Sequence, residues 1–255
     1  MIKYKKVLVS PGRHLEEIEK DIAGAANFEG IELTGDDPLT RLDLFDIASK
    51  ARAAGHKRVK VMTGGRRLGD ISFVERLIQA GIHLFEIELT SYTPELAQSL
   101  VNIRSFDSYG DPSFSPYLAV RIKITRENFQ HLSDIVRMIL PYRIDRIVLS
   151  FDDYDLRMSE AMPYIKMAME TSLLNQVWVF TKGIPLCLLV GYEHHVSEIY
   201  LSDDRQRGQN GTCKSCVYAG SCEGIAREYS AQHGFDEFNA VSQSPYTEEI
   251  KGLRR

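Results

Sequence analysis

The chain has 255 residues, of which 44% are hydrophobic and 26% are charged, and its formal net charge is −4. This composition is typical of a globular protein, and the lack of a basic excess argues against a nucleic-acid partner. No run of residues approaches the roughly 20 apolar positions that a membrane-spanning helix needs. We therefore expect a cytoplasmic protein with neither a nucleic-acid nor a membrane partner.

Short apolar segments alternate with helical patterns before residue 183. Helical periodicity begins near Thr40, at Ile71 and at Phe129, and Gly55 and Gly81 stand where a helix should end before a strand. Repeated strand–helix units predict parallel strands with right-handed crossovers, and six or seven units favour a partial or complete (β/α) barrel. The predicted strands are Lys5–Ser10, Gly30–Thr34, Arg58–Thr63, Leu84–Thr90, Leu118–Thr125, Arg146–Phe151 and Val177–Thr181.

The pattern changes after Gly183, which predicts two domains. Residues 1–182 would form the barrel, and residues 183–255 a cysteine-rich extension that binds metal. The extension contains a predicted hydrophilic loop, Asp203–Gly211, then three closely spaced cysteines, and then a predicted short helix, Gly224–His233.

The cysteines carry the strongest chemical signal in the sequence. Cys213, Cys216 and Cys222 form a C-x2-C-x5-C motif, whose two-residue gap lets two sulphurs approach one centre from a tight turn. A cubane cluster and a tetrahedral zinc both need four ligands. Cys187, just past the last predicted strand, is the remaining cysteine of the chain. We expect these four thiols to bind one [4Fe–4S] cluster, with zinc as the alternative.

Other assignments of the ligands remain open at this point. Cys187 lies in an apolar run and would also suit an ordinary buried thiol. The fourth ligand would then be Glu223, His233 or a small molecule. His194 and His195 are expected on opposite faces of a strand, where they could not share one metal.

Several segments resemble the conserved pieces of radical S-adenosylmethionine (radical SAM) enzymes. Glu32–Leu39, followed by Arg41–Leu44, resembles the "GGEP" segment after the second barrel strand and the "R-x-D-L" helix behind it. Val61–Arg66 resembles the "T-N-G" segment after the third strand. Gln79–Leu89 resembles the fourth strand with its preceding "A-G", and Ile124–Asn128 resembles the start of the fifth helix. The resemblance covers nearly the whole chain.

The resemblance implies a partial (β/α) barrel of the radical SAM type with a C-terminal cysteine-rich extension. The segment from Cys213 to Cys222 is similar to auxiliary-cluster segments of that superfamily. Asp36 replaces a glycine whose backbone meets the methionine amino group in the family, so it either blocks that approach or caps the next helix. S-adenosylmethionine becomes a candidate cofactor, and the residues implied for it are Thr34, Gly35, Asp36, Asp37, Glu88 and Arg121.

The chain departs from the family in the loop after the first strand. The family places three cysteines there, whereas Val9–Leu15 contains none. The resemblance thus implies a degenerate member that keeps an auxiliary-type cluster and cannot build the usual radical-initiating one. Its role would be electron transfer, a scaffold or an accessory to a partner protein or a paralogous radical SAM enzyme. The alternatives are an S-adenosylmethionine-dependent enzyme that uses the C-terminal cluster, and a zinc-stabilised binding module.

Overall fold

The structure is a computed structural model that describes residues 4–108, 115–197 and 207–253. Seven strands form one parallel sheet whose strand order follows the order of the chain. All seven predicted strands are confirmed, and each differs from its prediction by at most two residues at an end. The strands are β1 Tyr4–Leu8, β2 Gly30–Thr34, β3 Arg58–Thr63, β4 Ile82–Leu89, β5 Tyr117–Ile124, β6 Arg146–Phe151 and β7 Trp178–Lys182.

Helices follow the strands. The helix expected from near Thr40 begins later, at Leu44, because residues 38–40 form a separate 3₁₀ turn. Gly55 and Gly81 confirm the predicted helix ends, since both have positive φ angles that suit glycine. The α-helices are α1 Leu15–Ala23, α2 Leu44–Ala53, α3 Ile71–Gln79, α4 Pro94–Arg104, α5 Leu132–Ile139, α6 Met158–Leu174, α7 Arg227–His233 and α8 Thr247–Leu253. None of the helices in the described ranges is long and apolar enough to cross a membrane.

Strands β1 to β4 pair in parallel and separate their side chains into two faces. Successive side chains of a strand point to opposite faces, so residues two positions apart lie on the same face of the sheet. One face carries aliphatic and aromatic side chains that form the core. The buried residues of that face in β2, β3 and β4 are Ile31, Leu33, Val59, Val61, Phe85 and Ile87.

The other face carries a buried network of charges. The Glu86 carboxylate is fully buried and lies 2.8 Å from the Lys60 ammonium, 2.6 Å from Arg121 Nε and 3.4 Å from an Arg146 nitrogen. Lys60 also pairs with Glu32. Burial alone would raise the pKa of Glu86, but attraction by the three cations outweighs it and holds this pKa well below its usual value.

The chain divides into two compact units, Met1–Arg121 with Met138–Arg146, and Ile122–Arg137 with Ile147–Arg255. The domain boundary between residues 182 and 183 stays a prediction. Within the second unit, a small antiparallel pair joins β8 Arg207–Gly208 to β9 Ile225–Ala226.

Three local predictions in the second unit were wrong in part. His194 and His195 lie in a 3₁₀ turn, not in a strand. The helix expected from Gly224 begins at Arg227, because the preceding residues pair in β9. The predicted hydrophilic loop Asp203–Gly211 includes the paired strand β8, while its residues 203–206 lie outside the described part of the chain.

Candidate metal centre

All four cysteines of the chain line one pocket in the second unit. Cys187 lies in the 3₁₀ turn that follows β7, Cys213 lies in a second 3₁₀ turn, and Cys216 and Cys222 follow in the next loop. Each thiol is free and partly exposed. Tyr218 and Phe238 contribute to the wall, together with Pro185, Ile225 and Asn239.

The loop that holds the C-x2-C pair is built from local hydrogen bonds. The Asn210 side chain accepts hydrogen bonds from the backbone N–H groups of Thr212 and Cys213, at 3.0 and 3.2 Å. The Cys216 N–H donates to the Cys213 carbonyl at 3.1 Å, which closes the tight turn between the two cysteines. Cys213 and Cys216, on either side of this turn, both line the same pocket.

Backbone amides also point at two of the sulphurs. The Gly224 N–H donates to Cys222 Sγ and the Val241 N–H donates to Cys216 Sγ, both at 3.4 Å. Such donors stabilise negative charge on a thiolate, and they recur around iron–sulphur clusters.

Burial and mutual repulsion raise the pKa of two of the four thiols. Burial, followed by repulsion from the thiolates of Cys222, Cys216 and Cys213, raises the pKa of Cys187 to about 12. Burial also raises the pKa of Cys222, although the N–H groups of Leu186 and Gly224 oppose this effect. Four thiolates therefore repel one another here unless a cation is bound among them. A soft metal centre would supply that positive charge, so the chemistry of the four donors suits one.

The described side chains do not form a site for a single metal ion. In residues 4–108, 115–197 and 207–253, no three Cys, His, Asp or Glu side chains form a group that could hold one metal ion. The two non-cysteine candidates for a fourth ligand also have other contacts. His233 Nε2 lies 2.6 Å from the Tyr154 carbonyl, and Glu223 lies 3.8 Å from Arg207.

The buried Glu193 carboxylate is linked to the cysteine loop by hydrogen bonds through Tyr218. Glu193 is fully buried and accepts hydrogen bonds from the Tyr218 hydroxyl, from Ser244 Oγ at 2.9 Å and from the Gly191 N–H at 2.9 Å. The Tyr218 carbonyl in turn accepts from the Cys222 N–H at 2.8 Å. Sequence reasoning missed Glu193, because a single glutamate beside two histidines gives no signal of burial.

Solved structures share this fold. A crystal structure of SuiB from Streptococcus suis bound to S-adenosylmethionine superposes with a TM-score of 0.58 at 12% sequence identity, covering 91% of this chain and 70% of SuiB. SuiB bound to its precursor peptide SuiA gives a TM-score of 0.60 at 12% identity, covering 91% of this chain and 69% of SuiB. No protein-family model matches the chain.

At 12% sequence identity, the similarity to SuiB is evidence for the fold alone. It confirms the predicted α/β architecture, a partial (β/α) barrel consistent with the radical SAM fold. The residues expected to contact S-adenosylmethionine must therefore be judged by their own contacts.

One of the residues predicted to contact S-adenosylmethionine in the turn after β2 stabilises the turn itself. Asp37 caps the following 3₁₀ turn by accepting from the Leu39 N–H at 3.1 Å, and it accepts from Thr63 Oγ1 at 2.8 Å. The cap expected at Asp36 is therefore made by Asp37, while Asp36 itself is exposed. Thr34 ends β2 and is partly buried.

The loop after β1 packs against this turn. A Cβ atom added at Gly35 would lie 2.9 Å from Ser10 Oγ, so this turn approaches the loop closely. The Arg41 guanidinium donates to the carbonyls of Ser10 and Arg13, at 2.8 and 2.9 Å, and pairs with Asp43. Arg41 thus contributes two of the hydrogen bonds that hold the cysteine-free loop.

Arg121 and Glu88 lie on the charged face of the sheet. Arg121 binds the Glu86 carboxylate. Burial lowers the pKa of Arg121, but attraction by Glu86, Glu32 and Glu88 outweighs it and raises this pKa above its usual value. Sequence reasoning selected Arg121 and missed Glu86, because a charged residue inside a strand pattern does not reveal which neighbour it meets.

Proposed function

We propose that this chain binds one [4Fe–4S] cluster on Cys187, Cys213, Cys216 and Cys222. It would act as a radical SAM-like electron-transfer, scaffold or accessory protein. The observation that carries the proposal is that all four cysteines, from two separate stretches of sequence, line the same pocket. Four half-buried thiols that face one pocket are a donor set for a soft metal centre.

We propose a cluster before zinc because the segment from Cys213 to Cys222 resembles the auxiliary-cluster segments of radical SAM proteins. The two centres would hold the four sulphurs at different separations. A single zinc with bonds of about 2.3 Å to four sulphurs would bring those sulphurs to about 3.8 Å from one another. A cubane binds each thiolate to a different iron, so its ligands stand farther apart while still facing one pocket.

Full coordination by four thiolates favours the accessory role over catalysis. A cluster with no open iron transfers electrons or stabilises structure, but it offers no position to S-adenosylmethionine. The loop after β1 contains no cysteine and is held by Arg41. The recipient of the electrons would be a partner protein in the cytoplasm, such as a paralogous radical SAM enzyme.

Metal analysis of protein purified without oxygen tests the cluster. We expect about four irons and four sulphides per chain and broad visible absorption. Cys216→Ser should lose iron, and limited proteolysis should then cut the tail after Gly208 more rapidly, because metal binding stabilises a loop with little apolar content. Ser215→Ala is the matched control on the same turn and should keep its iron. A colourless protein with one bound zinc would contradict the proposal.

The number of ligating cysteines separates the accessory protein from an enzyme. Cys187→Ser should lower the iron content as strongly as Cys216→Ser, and S-adenosylmethionine should leave the electron paramagnetic resonance spectrum of the reduced wild-type cluster unchanged. If Cys187→Ser keeps its iron and S-adenosylmethionine alters the wild-type spectrum, one iron is open and the chain is an enzyme instead.

A further inference from the structure

A second, smaller pocket is also lined by Cys222. It shares Pro185, Cys222 and Gly224 with the cysteine pocket, and it is also lined by Arg207 and Glu223. Cys222 therefore lines both the pocket proposed for the cluster and a pocket that contains a pair of opposite charges. Neither charge belongs to the proposed ligand set.

Arg207 is an unusually buried arginine for a segment this polar. Only 5% of its side chain is exposed, and 15% of that of Glu223. The two charges are 3.8 Å apart between Arg207 Nε and Glu223 Oε2, a long separation for an ion pair. A buried cation is costly to desolvate, and Arg207 keeps its charge in the wall of a pocket that Cys222 also lines.

Gly224 holds this cation against the cysteine loop. Its carbonyl accepts a hydrogen bond from Arg207 at 3.1 Å, and its N–H donates to Cys222 Sγ. Gly224 has a φ of 86°, and a Cβ there would lie 2.2 Å from the Gly208 carbonyl oxygen. Gly224 is therefore packed tightly between the β8–β9 pair and Cys222.

We infer that Arg207 positions the Cys222 loop and raises the reduction potential of the cluster that the proposed function places on the four cysteines. Reduction adds one negative charge to the cluster and its thiolates. A nearby buried cation stabilises the reduced form more than the oxidised form, and salt screens a buried charge weakly. Glu223 acts in the opposite direction from the same pocket. The reduction potential of an iron–sulphur cluster responds to the charges around it.

The test is an anaerobic optical redox titration of the full chain, with iron content measured on each sample. Arg207→Gln should keep iron and shift the midpoint potential downward, whereas Arg207→Lys, which preserves the charge, should stay closer to wild type. Glu223→Gln should shift the potential upward. A role limited to holding the loop would change iron content and would not produce shifts of opposite sign.

The outcomes separate this inference from the proposed function. Wild-type protein without iron overturns both. An iron-loaded wild type whose potential is unchanged in iron-loaded Arg207→Gln overturns the inference alone. If Arg207→Gln fails to load iron, Glu223→Gln decides: an upward shift supports the electrostatic role, and an unchanged potential overturns it.

Discussion

Replacing Glu86 by glutamine should destabilise the protein more than any exposed charge change. Glu86 is 0% exposed, and its carboxylate contacts Lys60, Arg121 and Arg146, whose side chains are at most 22% exposed. Glutamine keeps the size of the side chain but leaves these buried cations without their shared counter-charge. Breaking a buried pair in this way costs about 3–5 kcal/mol, a large part of the stability of a typical domain.

The pH dependence of that loss follows from the pKa of Glu86, which is lower in the folded protein than its usual 4.5. The ionised carboxylate contributes its full stability above pH 4.5, and this contribution is lost as the pH falls toward the lower folded value. The difference in unfolding free energy between wild type and variant should therefore be constant at neutral pH. Below pH 4.5 it should shrink by up to about 1.4 kcal/mol per pH unit.

Urea denaturation followed by far-ultraviolet circular dichroism measures the difference. Fluorescence is a poor probe here, because the one tryptophan, Trp178, lies in the other compact unit. The exposed Glu29→Gln change is the control, with an expected effect within about 0.5 kcal/mol. The reasoning would be refuted if the unfolding free energies of Glu86→Gln and wild type differed by less than about 1 kcal/mol. A difference that does not change with pH would refute it as well.

Three further results are expected. Gly224→Ala should cost about 1–3 kcal/mol and lower iron content, because alanine strains the positive φ and clashes with a carbonyl; Gly220→Ala, with open space at its Cβ, should be nearly neutral by both measures. Tyr229→Phe should cost about 1–3 kcal/mol in thermal denaturation, because the buried N–H of Met158 loses its acceptor at 2.8 Å. In metal-free protein at pH 8, mass spectrometry should find Cys187 slowly alkylated, since a thiol with a pKa of about 12 is rarely a thiolate there.

The strand and helix pattern could be predicted closely from the sequence. Both ends were predicted correctly for three strands, Gly30–Thr34, Arg58–Thr63 and Arg146–Phe151. A short apolar run followed by residues with helical periodicity marks a strand boundary through neighbouring residues alone. The cap at Asp37 was missed by one residue, since Asp36 and Asp37 are equally good caps by chemistry and only the backbone angles choose between them.

The candidate site could be predicted in its ligands but not in its surroundings. The C-x2-C-x5-C spacing marked three thiols, and counting cysteines added Cys187. Arg207, Glu193 and Glu86 carried no comparable signal. Arg207 stands in a hydrophilic segment, and its strand β8 pairs with β9, which begins 18 residues further along the chain.

The sequence alone determined the alternation of strands and helices, the motif of three cysteines and the missing cysteines after β1. Those features depend on the residue periodicity of helices and strands and on short spacings in the sequence. Neither changes with the position of the segment in the fold. Only the tertiary structure decided that Cys187 faces the other three thiols, that Arg207 is buried beside Cys222, and that one carboxylate serves three cations. Each of these depends on which distant segments pack together, and that outcome is set by the register and packing of the whole chain.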